Sequence, residues 1–236
     1  MKRNKIQDII NLDNVFYEKI AQEFSVTRQG SWNGWKKVIK VIKHKLENGE
    51  KMQVLDIGSG NGRFFKFLQE NINGFEYTGL EINEYLITES RQNYPTAKFE
   101  KLDVLSEINK INKKYDAVVI FGLTHHIPGK IFRKQWFSFL ARLLKNDGLL
   151  IFTIWRFSED KRFISRAKVA EDLEQNDYYY DWANSKHKRY FHKYSEMELE
   201  TLIEKLQLQN LKLIDKFDCD GKTNRLNRYY IFKKIT

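Results

Sequence analysis

The feature that most constrains this 236-residue chain is Val54-Leu55-Asp56-Ile57-Gly58-Ser59-Gly60-Asn61-Gly62-Arg63-Phe64, an apolar run that passes through three alternate glycines into a helical pattern. A strand that turns at glycines into a helix opens a βαβ unit, and glycines stand where side chains would block a ligand or resist positive φ. Further short apolar runs follow at 76–80, 117–121 and 149–155, with helical segments between them. Strands buried on both faces read as continuous Val, Ile and Leu, and parallel crossovers are right-handed. The pattern therefore predicts an α/β fold with a Rossmann-like, doubly wound, mostly parallel sheet whose ligand sits at the carboxyl ends of the strands. Adding 97–102, 211–217 and 228–233 gives seven strands, the last two forming a hairpin.

Tyr17, Ile20, Ala21 and Phe24 recur at helical spacing, as do Trp35, Val38, Ile39, Ile42 and Leu46. Residues 1–50 thus read as an N-terminal helical extension that packs on or lids the sheet, with Trp32 and Trp35 in its core. Ser195 and Glu198 have the spacing of a capping box, and Leu199, Leu202, Ile203 and Leu206 share one face of the helix that follows. No repeat is visible and two prolines leave no obvious linker, so one domain is expected. Within it, 51–155 is the ligand-binding core, 156–194 a variable cap on the substrate side, and 195–236 the closing helix and hairpin.

Cys219 is the only cysteine, which excludes an intrachain disulfide and a closed cysteine metal site; no metal site is predicted. Apolar stretches fall far short of the roughly 20 residues of a membrane helix. The first fourteen residues are charged throughout and lack a secretory core, so a cytoplasmic protein without a membrane partner is expected. Forty-one basic against thirty-one acidic residues give +10, which fits a polyanionic partner and also simple solubility. Clusters at 161–168 and 186–193, the second containing Lys186, hold no acid.

By itself the glycine turn fits a plain strand-to-helix corner or a dinucleotide site, although the latter wants a third small residue where Arg63 stands. Glu81, nineteen residues beyond Gly62, suits a pair of ribose hydroxyls. Asp103 suits an adenine amino group, with Val104 against the ring. Taken together, Asp-x-Gly-x-Gly-x-Gly at 56–62, Glu81, Asp103 and Phe121-Gly122-Leu123-Thr124-His125-His126 make residues 53–155 resemble the core of the class I S-adenosylmethionine (SAM) dependent methyltransferases. The resemblance implies SAM as cofactor. It places Asp56, Gly58, Ser59 and Gly60 around the methionine part, Glu81 and Ile82 at the ribose, Asp103 and Val104 at adenine, and Phe121 beside them.

Beyond the core, Tyr17-x-x-Ile20-Ala21-x-x-Phe24-Ser25-x-Thr27-Arg28, the His125-His126 pair and Arg189-Tyr190-Phe191-His192-x-Tyr194 are similar to the tRNA methyltransferase 9 family. That resemblance implies methyl esterification of the carboxylate of 5-carboxymethyluridine at the tRNA wobble position, with tRNA as partner and a small zinc-binding activator subunit. The chain departs from the family at Gln29-Gly30-Ser31-Trp32-Asn33, at Phe191 and at Ile127. A carboxylate is already ionised at neutral pH, so this reaction needs alignment more than a base, and an arginine fork provides it. Arg28, Arg189 and His125 are the catalytic candidates, with Arg28 alternatively holding the carboxylate of SAM itself, and His126, Lys186, Tyr190, His192 and Tyr194 are the substrate contacts. The aromatic and basic segment 178–194 suits stacking of unpaired bases, or equally packing on the core. The same core also serves methyl transfer to small metabolites, and a non-catalytic RNA-binding protein is the reading of a different class.

Overall fold

A computed structural model describes residues 1–46, 51–157, 164–181 and 188–235. It begins with two helices, α1 (Arg3–Thr27) and α2 (Trp35–Leu46). The first starts well ahead of Tyr17 because Ile9, Ile10, Asp13 and Phe16 carry its buried face upstream. The core then alternates β1 (Met52–Ile57), α3 (Arg63–Asn71), β2 (Phe75–Glu81), α4 (Glu84–Asn93), β3 (Lys98–Lys101), β4 (Tyr115–Ile120), α5 (Lys130–Leu140) and β5 (Leu144–Trp155). Short strands β6 (Ala167–Lys168), β7 (Asp177–Asp181) and β8 (Lys188–His192) follow, then α6 (Glu196–Gln207), β9 (Leu211–Cys219) and β10 (Asn227–Lys234).

Among the described residues the main sheet has seven strands in the order β3-β2-β1-β4-β5-β10-β9. β3, β2, β1, β4 and β5 are mutually parallel, and β10 runs antiparallel between β5 and β9. The strand order reverses between β1 and β4, which puts a crevice at their carboxyl ends. Alternation along each strand divides the core into two layers. Leu55, Ile57, Val118 and Ile120 face α5 and α6, while Val54, Ala117 and Val119 face α2 and α3. Helix α6 opens with the expected capping box, Ser195 Oγ accepting from the Glu198 amide while Glu198 accepts from the Ser195 amide. No helix of the described residues is long and apolar enough to cross a membrane.

The segment after β5 carries a second, three-stranded antiparallel sheet, β6-β7-β8, that the sequence pattern does not reveal. Its aromatics are packed. Tyr180 and Phe191 are buried with Trp155 and Phe157, and Tyr179 and Tyr190 are buried against Ile9 of α1. The base-stacking expectation for this stretch is therefore corrected for these rings, whose faces are occupied by one another. Lys186 lies outside the described residues, as do Lys161 and Arg162.

Candidate active site

Where β1 ends, Gly58 and Gly60 adopt φ of 77° and 57°, and the backbone amides of Gly58 and Ser59 donate to Leu80 O at 2.9 and 3.0 Å. The turn is thereby tied to β2. A Cβ built on Gly60 would meet nothing nearer than Phe24 at 3.7 Å, so any side chain here would project into the open space above the turn. That space is a cavity of about 560 Å³, within the range of small-molecule sites, roughly 300–1,000 Å³. α1, the β1, β2 and β4 ends, β5, β8 and the β9–β10 loop all contribute to its wall.

Seven of the nine expected cofactor residues line this cavity: Gly58, Gly60, Glu81, Ile82, Asp103, Val104 and Phe121. Glu81 is anchored by three backbone amides, Gly60 N at 3.0 Å, Ile82 N at 2.9 Å and Asn83 N at 3.0 Å. Burial pushes its carboxyl above the usual range, and these amides pull it back. Asp103 accepts from the Leu105 amide at 3.1 Å and from Ser106 Oγ at 2.9 Å, and Trp136 Nε1 donates to Val104 O at 2.9 Å. The donor set fits a nucleoside: carboxylate oxygens at the ends of β2 and β3 and a glycine cradle that a Cβ would fill.

Asp56 and Ser59 do not line the cavity, which corrects their expected contact with the cofactor. Strand alternation is the reason. Asp56 shares the side of β1 that faces the α2–α3 layer, where the Tyr77 hydroxyl donates to its Oδ2, and burial lifts its carboxyl to about 7. Ser59 is buried behind the turn.

The opposite wall of the cavity is built by α1, β8 and the single turn Thr124–His126 after β4. This turn is tied to β5, with Gly122 N donating to Thr153 Oγ1 at 3.1 Å and Thr124 Oγ1 to Thr153 O at 2.6 Å. Arg28, His125, His126 and Arg189 all line the cavity, as does Tyr17. His126 Nδ1 lies 2.8 Å from Asp13 Oδ2 and 2.9 Å from Tyr190 O, a carbonyl that can only accept, so the proton belongs on Nδ1. In the neutral ring Nε2 then accepts, and the Tyr17 hydroxyl donates to it at 2.9 Å. Arg189 Nη1 donates in turn to the Tyr17 oxygen at 2.9 Å. A directed chain, Arg189 to Tyr17 to His126 to Asp13, thus positions the Arg189 guanidinium at the cavity wall.

His125 packs 4.9 Å from Trp155 and is kept well below the ordinary imidazole range by burial, with His126 and Arg189 adding to the effect. It is neutral at pH 7, and its buried Nδ1 finds no hydrogen-bond partner among the described residues. Arg28 sits at the end of α1 over the Phe24 ring, 4.3 Å from its centroid, and burial lowers its pKa.

Tyr190, His192 and Tyr194 are off the cavity, a correction to their expected substrate contact. Along β8, Arg189 faces the cavity, so Tyr190 and His192 point to the other side. There they join a buried network. The Tyr190 hydroxyl donates to Asp177 at 2.7 Å, His192 bridges Asp177 at 2.6 Å and Glu198 at 3.2 Å, and the Tyr194 hydroxyl donates to Thr124 O at 2.9 Å. Their task is to brace β8 and the His125–His126 turn. Sequence reasoning missed Asp13, Tyr17, Arg63 and Trp155 as cavity residues, and Trp32, expected in the core, is half-buried and lines it. A signal was present: Asp13 and Arg28 continue the spacing of Tyr17, Ile20, Ala21 and Phe24 along one helix face.

A methyltransferase domain family matches residues 33–213. A protein of Encephalitozoon cuniculi that carries a provisional methyltransferase name is 29% identical across 85% of this chain and 87% of its own length. The tRNA (carboxymethyluridine(34)-5-O)-methyltransferase of Arabidopsis thaliana is 29% identical across 61% of this chain and 32% of its own length. Among solved structures, a SAM-dependent methyltransferase of Clostridium acetobutylicum superimposes with a TM-score of 0.64 at 18% identity, covering 93% of this chain and 99% of that one.

Proposed function

Because this chain belongs to the methyltransferase domain family and has the fold of its SAM-dependent enzymes, we propose that it methylates a carboxylate on tRNA, that of 5-carboxymethyluridine at the wobble position. The observation that carries the reading is the presence of Arg28 and Arg189 in the same cavity as the glycine turn. SAM supplies one thing, a methyl group activated by attachment to a sulfonium.

The chain supplies positions. Gly58 and Gly60 admit the cofactor, Glu81 takes its ribose hydroxyls, and Asp103 with Val104 frames adenine. On the acceptor side Arg189, fixed by Tyr17, holds one carboxylate oxygen through charge-assisted hydrogen bonds, so that the other oxygen faces the methyl. Arg28 adds positive charge, and neutral His125 contacts the acceptor from the Trp155 side. The acceptor is already ionised near neutrality, so no side chain has to remove a proton from it. The buried arginines hold it in a partly dry site, where their grip is stronger than in water. Support for tRNA comes from the Arabidopsis relative and from the net charge of +10.

The test is nucleoside mass spectrometry of tRNA incubated with pure protein and SAM, using carboxymethylated and unmodified transcripts. A methyl ester on the carboxymethylated tRNA alone is expected, with turnover that falls steeply as salt rises. Methylation of free small carboxylic acids at a salt-insensitive rate, with tRNA untouched, would refute the tRNA acceptor.

A further inference from the structure

Helix α2 carries five lysines, one histidine and no acid in its twelve residues. Its apolar stripe, Trp35, Val38, Ile39 and Ile42, is buried with β1 and α3, which turns Lys36, Lys37, Lys40 and Lys43 to the exposed side. Lys36, Lys40 and Lys43 stand at i, i+4 and i+7, so they form one row with steps of about 6 and 4.5 Å along the axis. None of the three forms an ion pair among the described residues. Like charges at this spacing weaken a helix, and an anion laid along the row relieves them.

The row begins at the cavity rim. Ser31, Trp32 and Asn33, which lead directly into α2, line the cavity. Gly34 N donates to Asp220 Oδ1 at 2.9 Å and Lys37 Nζ lies 4.5 Å from the centroid of the Phe217 ring, so the start of the helix is fastened to β9 and to the β9–β10 loop. That loop also lines the cavity, through Gly221 and Leu226, and between these it exposes Lys222 and Arg225, again without an ion pair among the described residues. Its acid, Asp220, is buried and accepts further from Asn227 Nδ2 at 3.0 Å and the Tyr229 hydroxyl at 2.6 Å. A basic surface therefore runs from the mouth of the cavity along α2 for about 18 Å, the length of a twelve-residue helix.

We infer that Lys36, Lys40 and Lys43, with Lys222 and Arg225 at the rim, form a track for the sugar-phosphate backbone of the RNA whose reacting nucleoside enters the cavity. The inference rests on the tRNA reading of the acceptor and adds where the rest of the tRNA is held. A nucleic-acid strand presents a charge every few ångströms, and lysine ammonium groups meet it as point charges without regard to base sequence. The other extended polyanion is an anionic membrane, and α2 is unsuited to it. A helix that lies in a bilayer surface turns its apolar face outward, whereas every large apolar side chain of α2 is buried or half-buried in the core.

Fluorescence anisotropy of a labelled tRNA transcript with the full chain, repeated over a series of salt concentrations, tests it. Lys36, Lys40 and Lys43 are changed together to glutamine, which keeps helix propensity. Loss of three phosphate contacts should weaken tRNA binding about 10- to 100-fold at about 0.1 M salt and make the salt slope shallower by about 2 to 3. The control changes Lys98, Lys101 and Lys110 to glutamine; these are paired with Glu100, Glu84 and Glu107, and their removal lowers net charge by the same amount. It should leave affinity and slope near wild type. Calorimetric affinity for S-adenosylhomocysteine should be unaltered in both variants, which reports an intact fold. Equal weakening by the two triple variants, or none by the α2 variant, overturns the track while the tRNA reading stands. Wild-type protein that binds no tRNA overturns both, as does wild-type protein that binds vesicles of phosphatidylserine and phosphatidylcholine in place of tRNA.

Discussion

Replacing Tyr17 by Phe separates positioning from packing at the acceptor side. The ring stays, with its edge contacts to Phe16 and Phe24, and only the hydroxyl goes. Two hydrogen bonds of 2.9 Å are lost, one to His126 Nε2 and one from Arg189 Nη1. His126 is buried, so its ring nitrogen is left without a donor, and leaving one such group unsatisfied costs about 1–3 kcal/mol. Thermal unfolding should register this as a drop of roughly 2–4 °C for each kcal/mol. The larger effect is kinetic. Arg189 loses the acceptor that fixes its Nη1, and displacement of a positioning group by about 1 Å can reduce rate about 100-fold. We expect kcat/KM for the acceptor to fall about 10- to 100-fold, with S-adenosylhomocysteine affinity unchanged because Glu81 and the glycine turn do not involve Tyr17. Steady-state kinetics beside calorimetry on the same preparation give both numbers. A variant that unfolds earlier yet keeps its full kcat/KM would show that the hydroxyl serves packing alone, and the directed chain from Arg189 to Asp13 would lose its functional meaning.

Two further changes test the cofactor side. Asp56 has its carboxyl lifted by burial from 3.8 to about 7, so folding favours the protonated acid. Its stabilising contribution is full below about pH 4 and is lost as pH rises through about 7, a change of roughly 4 kcal/mol at about 1.4 kcal/mol per unit. Asp56→Asn, which still accepts from Tyr77, should unfold at higher denaturant than wild type at about pH 8 and match it at about pH 4; a gap that does not vary with pH would refute the buried-acid account. Gly60→Arg puts a side chain on a residue of φ 57° whose Cβ points into the cavity, and it should abolish S-adenosylhomocysteine binding while circular dichroism keeps its wild-type shape; retained binding would place the cofactor elsewhere.

The parallel core was legible because strands buried on both faces leave unbroken apolar runs. Much of the cavity lining was legible because Gly58, Gly60, Glu81, Asp103 and Phe121 stand next to strand ends that the same runs define. What the sequence hid follows from geometry. Asp56 and Ser59 sit inside the motif, yet period-two alternation turns the first toward Tyr77 and the turn buries the second. Arg189, Tyr190 and His192 are near neighbours in the chain, but a strand divides them, one to the cavity and two to the network around Asp177. β6, β7 and β8 went unseen because no two-residue turn signal joins them, the intervening stretches being eight and six residues, and their aromatic and charged residues carry no clean alternation. Asp13 and Tyr17 acquire their roles only through partners far along the chain, and single-sequence patterns do not record such pairings.

Helix α1 supplies Asp13, Tyr17, Phe24 and Arg28 to the cavity, and all four precede residue 33, where the family match begins. At 1.5 Å per residue the span from Asp13 to Arg28 is about 22 Å, so one rigid rod reaches from the braced histidine turn to the cofactor crevice. The same rod that carries Asp13 and Tyr17 is also keyed into the glycine turn, where Asn61 Nδ2 donates to Ser25 Oγ and to Arg28 O, each at 3.1 Å, and Phe24 stands 3.7 Å from a Cβ built on Gly60. A shift of this helix at one end is therefore felt at the other, so the two walls of the cavity move as one body.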